Sequence, residues 1–189
     1  MEKLIISFLL IAIFCSFSEQ EYLENRSSLL YEDSTIVDKA YIGMTIQELK
    51  NKYQDAEFLE EHVYYYGVDG SGNGISVVDH GEKLFFVWTL EDDDKIHSIT
   101  IISSRITIDD NVHVGMKLND FHEKYPNGKM AIDMVDTSIE YMYVPGLDYR
   151  VEFLTTDSTR VAEYDYGMGE PEFIEVKHPE SKINRISIK

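Results

Sequence analysis

Cysteine is almost absent. The chain of 189 residues has one, Cys15. A single thiol can form neither an internal disulfide nor a cluster of thiolate metal ligands, which excludes stapled secreted scaffolds and cysteine-ligated zinc folds. Basic residues are also few, with 17 Lys and Arg against 35 Asp and Glu and a formal net charge of −18. Such a surface repels phosphates, so nucleic acid is excluded as a partner. The same charge suits a basic protein partner, or it is simply a solvated acidic surface. Hydrophobic residues make up 43% of the chain, enough for a packed core.

Long apolar runs are missing too. Leu4 to Phe14 is too short for a transmembrane helix. Behind Lys3, and ahead of the small residues Ser16 and Ser18, it reads as the core of a signal peptide spanning residues 1–18. The mature chain then starts at Glu19, has no transmembrane span and no thiol, and is exported to the periplasm or outside the cell. The alternative makes Cys15 a lipidated first residue, which gives an envelope-anchored lipoprotein.

What the chain does contain is a repeat. Residues 95–101, KIHSITI, return at 182–188 as KINRISI. Upstream, Tyr41 to Tyr53 matches His113 to Tyr125, with Gly-Met and Lys-Tyr in register. Ile46, Leu49 and Tyr53 fall at i, i+3 and i+7, as do Leu118, Phe121 and Tyr125. That spacing predicts a helix with one apolar face in each copy. Thr45 and Glu48 form a capping-box pair, whereas the second copy has Lys117 at the cap. Strand-like segments follow each helix: 62–68, 75–78, 83–90 and 96–102, then 139–144, 149–154, 160–166, 173–177 and 183–188.

The runs Ile42-Gly43-Met44-Thr45-Ile46-Gln47-Glu48-Leu49 and Val114-Gly115-Met116-Lys117-Leu118-Asn119-Asp120-Phe121 resemble the helix start of the β-lactamase inhibitor protein family. Related small outer-membrane lipoproteins of the β-barrel assembly machinery share it. The resemblance implies an exported, non-catalytic binding module whose sheet or loops contact another protein. It carries over helix-start residues and no target-contacting ones. The expected fold is α+β: two tandem helix-plus-antiparallel-meander repeats with helices on one face of the sheets. The expected organisation is an extension over 19–35, repeat unit 1 over 36–102, a linker over 103–110 and repeat unit 2 over 111–189.

Aligning 83–90 with 149–154 places Leu84, Phe86 and Trp88 opposite Tyr149, Val151 and Phe153, under the helix. Phe85 and Val87 then face away and form a candidate partner-binding patch. Tyr64 with Tyr66, and Tyr141 with Tyr143, each share a strand face and join that candidate surface, since tyrosine suits binding sites. The two copies differ by insertions around 68–79 and 158–181, which are expected to carry divergent function.

Candidate chemistry is sparse. Asp69, Ser71 and Asn73 place oxygen ligands at alternate positions ahead of Gly74, as in the first half of a calcium loop, and Asp79 is the nearest late carboxylate. The twelfth position holds His80 instead of Glu, so a Gly-rich turn is the competing reading and calcium is the only cofactor raised. The six histidines form no His-x-x-x-His pair, and no Gly-x-Ser-x-Gly elbow exists. The expected function is therefore non-catalytic protein binding, with inhibition of a cationic secreted or periplasmic enzyme as one form of it. The alternatives are an envelope assembly lipoprotein and a calcium- or ligand-binding domain.

Overall fold

The structure, a computed structural model, describes residues 37–109 and 111–189. The expected signal peptide, Cys15 and the extension over 19–35 lie outside the described residues. Among the described residues, two helices of seven residues each, α1 (Ile46–Lys52) and α2 (Leu118–Lys124), accompany twelve strands. Thr45 caps α1: its hydroxyl accepts from the Glu48 N–H, and the Glu48 carboxylate accepts from the Thr45 N–H. Lys117, at the start of α2, makes no such side-chain bond. Each helix ends at a tyrosine, Tyr53 or Tyr125.

The expected α+β class is overturned. Strand occupies 43% of the described residues and helix 12%, and eight strands form one continuous antiparallel sheet. The helical pattern holds for only two turns before Tyr53-Gln54-Asp55 and Tyr125-Pro126-Asn127-Gly128 break it, so strand pairing carries the architecture. In order across the sheet the strands are β1 (Glu57–His62), β2 (Asn73–Asp79), β3 (Glu82–Thr89), β4 (Ile96–Ile101), β12 (Arg185–Ile188), β9 (Tyr149–Leu154), β8 (Ile139–Tyr143) and β7 (Lys129–Ile132). The two KI-x-x-I strands meet at the centre, where Ile101 lies opposite Ile186 and Ile99 opposite Ile188. Pairing them removes two exposed edges. Two short hairpins complete the set: β5 (Thr107–Ile108) with β6 (Val112–His113), inside and just past the expected linker, and β10 (Ala162–Asp165) with β11 (Glu172–Val176).

The outermost strands, β1 and β7, directly follow the helices and escape the sequence reading. Glu57-Phe58-Leu59-Glu60-Glu61-His62 carries three carboxylates, a composition that suits a sheet edge more than a central strand. The segment expected as a strand over 62–68 instead turns: Val63–Tyr66 is one turn of 3₁₀ helix, and Gly67 leaves it at φ +71°.

Alternation along β3 is one residue out from the expectation. Phe85 lies opposite Val77 and Ile101, and Val87 opposite Ile75 and Ile99. Both are wholly buried, in the core that also holds Leu49, Phe121, Val151 and Ile186. The Tyr53 ring, just past α1, meets the Phe85 ring edge-on at 5.5 Å. Phe86 takes the other side of the sheet. A register slip of one residue exchanges the two faces of a strand, and the mostly apolar run Leu84-Phe85-Phe86-Val87-Trp88 offers no polar residue to fix it.

Candidate functional site

On the Phe86 side, the segment from Val63 to Gly67, between β1 and β2, forms a strap across the sheet. Tyr66 stacks flat on Phe86 with ring centroids 3.7 Å apart. Its hydroxyl donates to Glu61 at 2.6 Å, and Lys83 donates to the same carboxylate at 2.6 and 2.7 Å. The buried Ser76 hydroxyl also donates to Glu61. Across the central seam, Arg185 donates to the Tyr65 carbonyl at 2.9 Å. Gly67 passes so close to β8 that a Cβ there would lie 2.9 Å from Ile139. The strap thus touches strands from both halves of the sheet order.

Under it lies a buried charge network. Glu152 on β9 is wholly buried and accepts from Arg150 Nε at 2.8 Å and Arg185 Nε at 2.9 Å. Arg150 also reaches Asp133 at 3.0 Å and covers the Tyr141 ring at 4.3 Å. Burial works against the Arg150 charge, but Glu152 and Asp133 outweigh it and hold the guanidinium above its ordinary value. Every charge here has a partner, and the network reads as a support for the strap.

Burial alone would raise the Glu61 carboxyl, yet hydrogen bonds from Lys83, Ser76 and Tyr66 hold it below the usual carboxylate range. A depressed folded value stabilises the fold above the ordinary Glu range, near pH 4.3, and that contribution is lost as pH falls through the folded value. Glu61→Gln removes the effect. The gap in melting temperature between wild type and Glu61→Gln is therefore expected to be widest near neutral pH and to close between about pH 5 and pH 3. A gap that stays constant on acidification would contradict this assignment.

The second insertion builds a different surface. Its hairpin, β10–β11, is tied down by Glu140, which is wholly buried and accepts from the N–H groups of Val161 at 2.8 Å and Ala162 at 2.9 Å. Burial, with Glu140 beside it, raises the Tyr164 hydroxyl. From this anchor the hairpin exposes Tyr166, Met168, Phe173 and Ile174. Acidic residues Glu163, Asp165, Glu170, Glu172 and Glu175 are interleaved with them, and Lys177 bridges Glu163 and Glu175.

Between this hairpin, α2 and the β7 edge lies a cleft of about 680 Å³. Leu118, Asn119 and His122 line it from α2, Met130 and Ala131 from β7, and Met142 and Tyr143 from β8. Phe173, Val176 and Pro179 close the far wall. It lies along β7, which among the described residues pairs only with β8 in the sheet.

The sequence-nominated residues scatter. Phe85 and Val87 are core, so the patch proposed for them does not exist. Tyr66 is buried under the strap, while Tyr64 is exposed on it. Tyr141 is half-buried beneath Arg150, and Tyr143 is exposed at the cleft, with the two rings 6.2 Å apart. Asp69 and Ser71 are exposed in the turn before β2. Asn73 and Asp79 end the same strand, about 20 Å apart at about 3.3 Å per residue. Asp79 is instead bonded by Arg105 at 2.8 Å and His80 at 2.8 Å, so the four calcium candidates do not converge.

Sequence reasoning missed Glu140, Glu152, Arg185 and the cleft. A carboxylate at an inward strand position was the one available signal for Glu140. Comparison with protein families, with curated proteins and with solved structures finds no match for this chain.

Proposed function

We propose that the chain is an exported, non-catalytic protein-binding module that meets a basic partner with the β10–β11 hairpin. The observation that carries this reading is the set of exposed apolar side chains, Tyr166, Met168, Phe173 and Ile174, held on a hairpin anchored by the buried Glu140. Side chains of this size, unburied and close together, suit a protein contact. The interleaved carboxylates favour a cationic partner and speed its approach. Export rests on Lys3, the apolar run to Phe14, and Ser16 and Ser18.

The test uses the exported fraction of producing cells. Tagged protein recovered there is expected to begin at Glu19 by mass spectrometry and to retain a partner at low salt. Met168→Asp combined with Ile174→Asp, two exposed side chains outside the cleft between α2 and β7, is expected to weaken that retention at least about tenfold, as loss of central apolar contacts does, with an unchanged melting temperature. Recovery of the same proteins by wild type and variant would overturn the hairpin reading.

A further inference from the structure

We infer that the cleft between α2, β7 and β11 is a binding site for a small amphipathic organic anion, with a hydrocarbon body and one acidic head. This goes beyond the hairpin reading and does not depend on it. The volume, about 680 Å³, falls within the range of about 300–1,000 Å³ typical of small-molecule sites. The floor is apolar: Leu118, Met130 and Met142 are buried, and Phe173 and Val176 face them. Two methionines suit ligands of variable shape, because the thioether side chain is unbranched and polarizable.

The mouth supplies the sign. Asn119, His122 and Lys129 are exposed there, and among the described residues none that lines the cleft is a carboxylate. In a chain with 35 acidic residues against 17 basic ones, a lining whose one lysine is its charged member departs from the acidic surface, with Glu172 and Glu175 adjacent in sequence to Phe173 and Val176 but not lining the cleft. Lys129 forms no ion pair among the described residues. A ligand with an acidic head would give that ammonium a partner, while a cationic amphiphile would place like charges together. An apolar body alone would fill the floor and leave the cation unused.

Titration calorimetry of the full chain with dodecanoate, below its micelle concentration, tests this. One-to-one binding is expected, at least about tenfold tighter than dodecyltrimethylammonium of the same chain length. Lys129→Glu, a surface change, is expected to weaken dodecanoate about three- to tenfold. Ala131→Trp, which fills the cleft, is expected to abolish binding, and near-ultraviolet circular dichroism reports whether that variant folds. Absence of dodecanoate binding, equal affinity for the cationic chain, or heats unchanged in Lys129→Glu would each overturn the inference. So would binding to phosphatidylglycerol vesicles without binding to dodecanoate. The hairpin variant addresses the protein-partner reading separately, since neither Lys129 nor Ala131 lies on the hairpin.

Discussion

Glu152→Ala is expected to lower the unfolding free energy by about 3–5 kcal/mol, because it strands buried positive charge. The Glu152 side chain is fully out of solvent, and the Arg185 side chain beside it is 6% exposed. Arg150, 18% exposed, retains Asp133, but among the described residues Arg185 is left with only the Tyr65 carbonyl and the Tyr66 ring face 5.9 Å away. Neither can neutralise a guanidinium, and an arginine does not shed its proton to escape. The cost is therefore that of an unpaired buried ion and not of one lost hydrogen bond. Lys117–Glu180 gives the contrast, with side chains 46% and 67% exposed. Removing an exposed pair of that kind costs below about 1 kcal/mol. Urea denaturation at pH 7 measures both variants. In a double-mutant cycle, Glu152→Ala and Arg185→Ala should couple by more than about 1 kcal/mol. A Glu152→Ala cost no larger than that of the surface pair would mean that the arginines regain water, and the strap would then be loosely held.

The parts of this fold that are local were legible, and the parts that join distant segments were not. Thr45 and Glu48 mark a helix start within four residues, and the structure forms that capping box. Most strands bounded by Gly and Asp clusters are where alternation puts them, including β9 and β2 to within two residues. Two kinds of feature fell outside such reasoning. Charged segments such as Glu57–His62 become strands because β2 offers a ladder, not because their own residues favour extension. Tyr64 and Tyr66 fit a strand by propensity, yet the chain turns there because stacking Tyr66 on Phe86 buries both rings. The network Arg150–Glu152–Arg185 looks in sequence like the polar face of a strand plus one distant arginine. Only the pairing of β9 with β12, which sets Glu152 opposite Arg185, turns it into a buried cluster. The cleft is less legible still, since its walls come from four elements and no spacing rule connects His122, Met142 and Phe173.

The β3 register is where sequence and structure differ most sharply, and one substitution separates them. Phe85→Ala is expected to cost about 3–5 kcal/mol, the range for removing a large buried aromatic side chain. The ring is wholly buried, lies edge-on to Tyr53, and sits between Val77 and Ile101 on the neighbouring strands. Helix α1 is only seven residues long and is too short to hold its shape without tertiary packing. Loss of Phe85 should therefore also loosen the contact through which Tyr53, and with it α1, is held to the sheet. Hydrogen exchange should show α1 amides losing protection together with those of β3 and β4. Had Phe85 lain on an exposed partner-binding face, the same change would move stability by no more than about 0.5 kcal/mol and act only on binding. Chemical denaturation distinguishes the two outcomes directly. A small loss, with α1 protection intact, would return Phe85 to the surface and move the whole core of the first four strands to the opposite face.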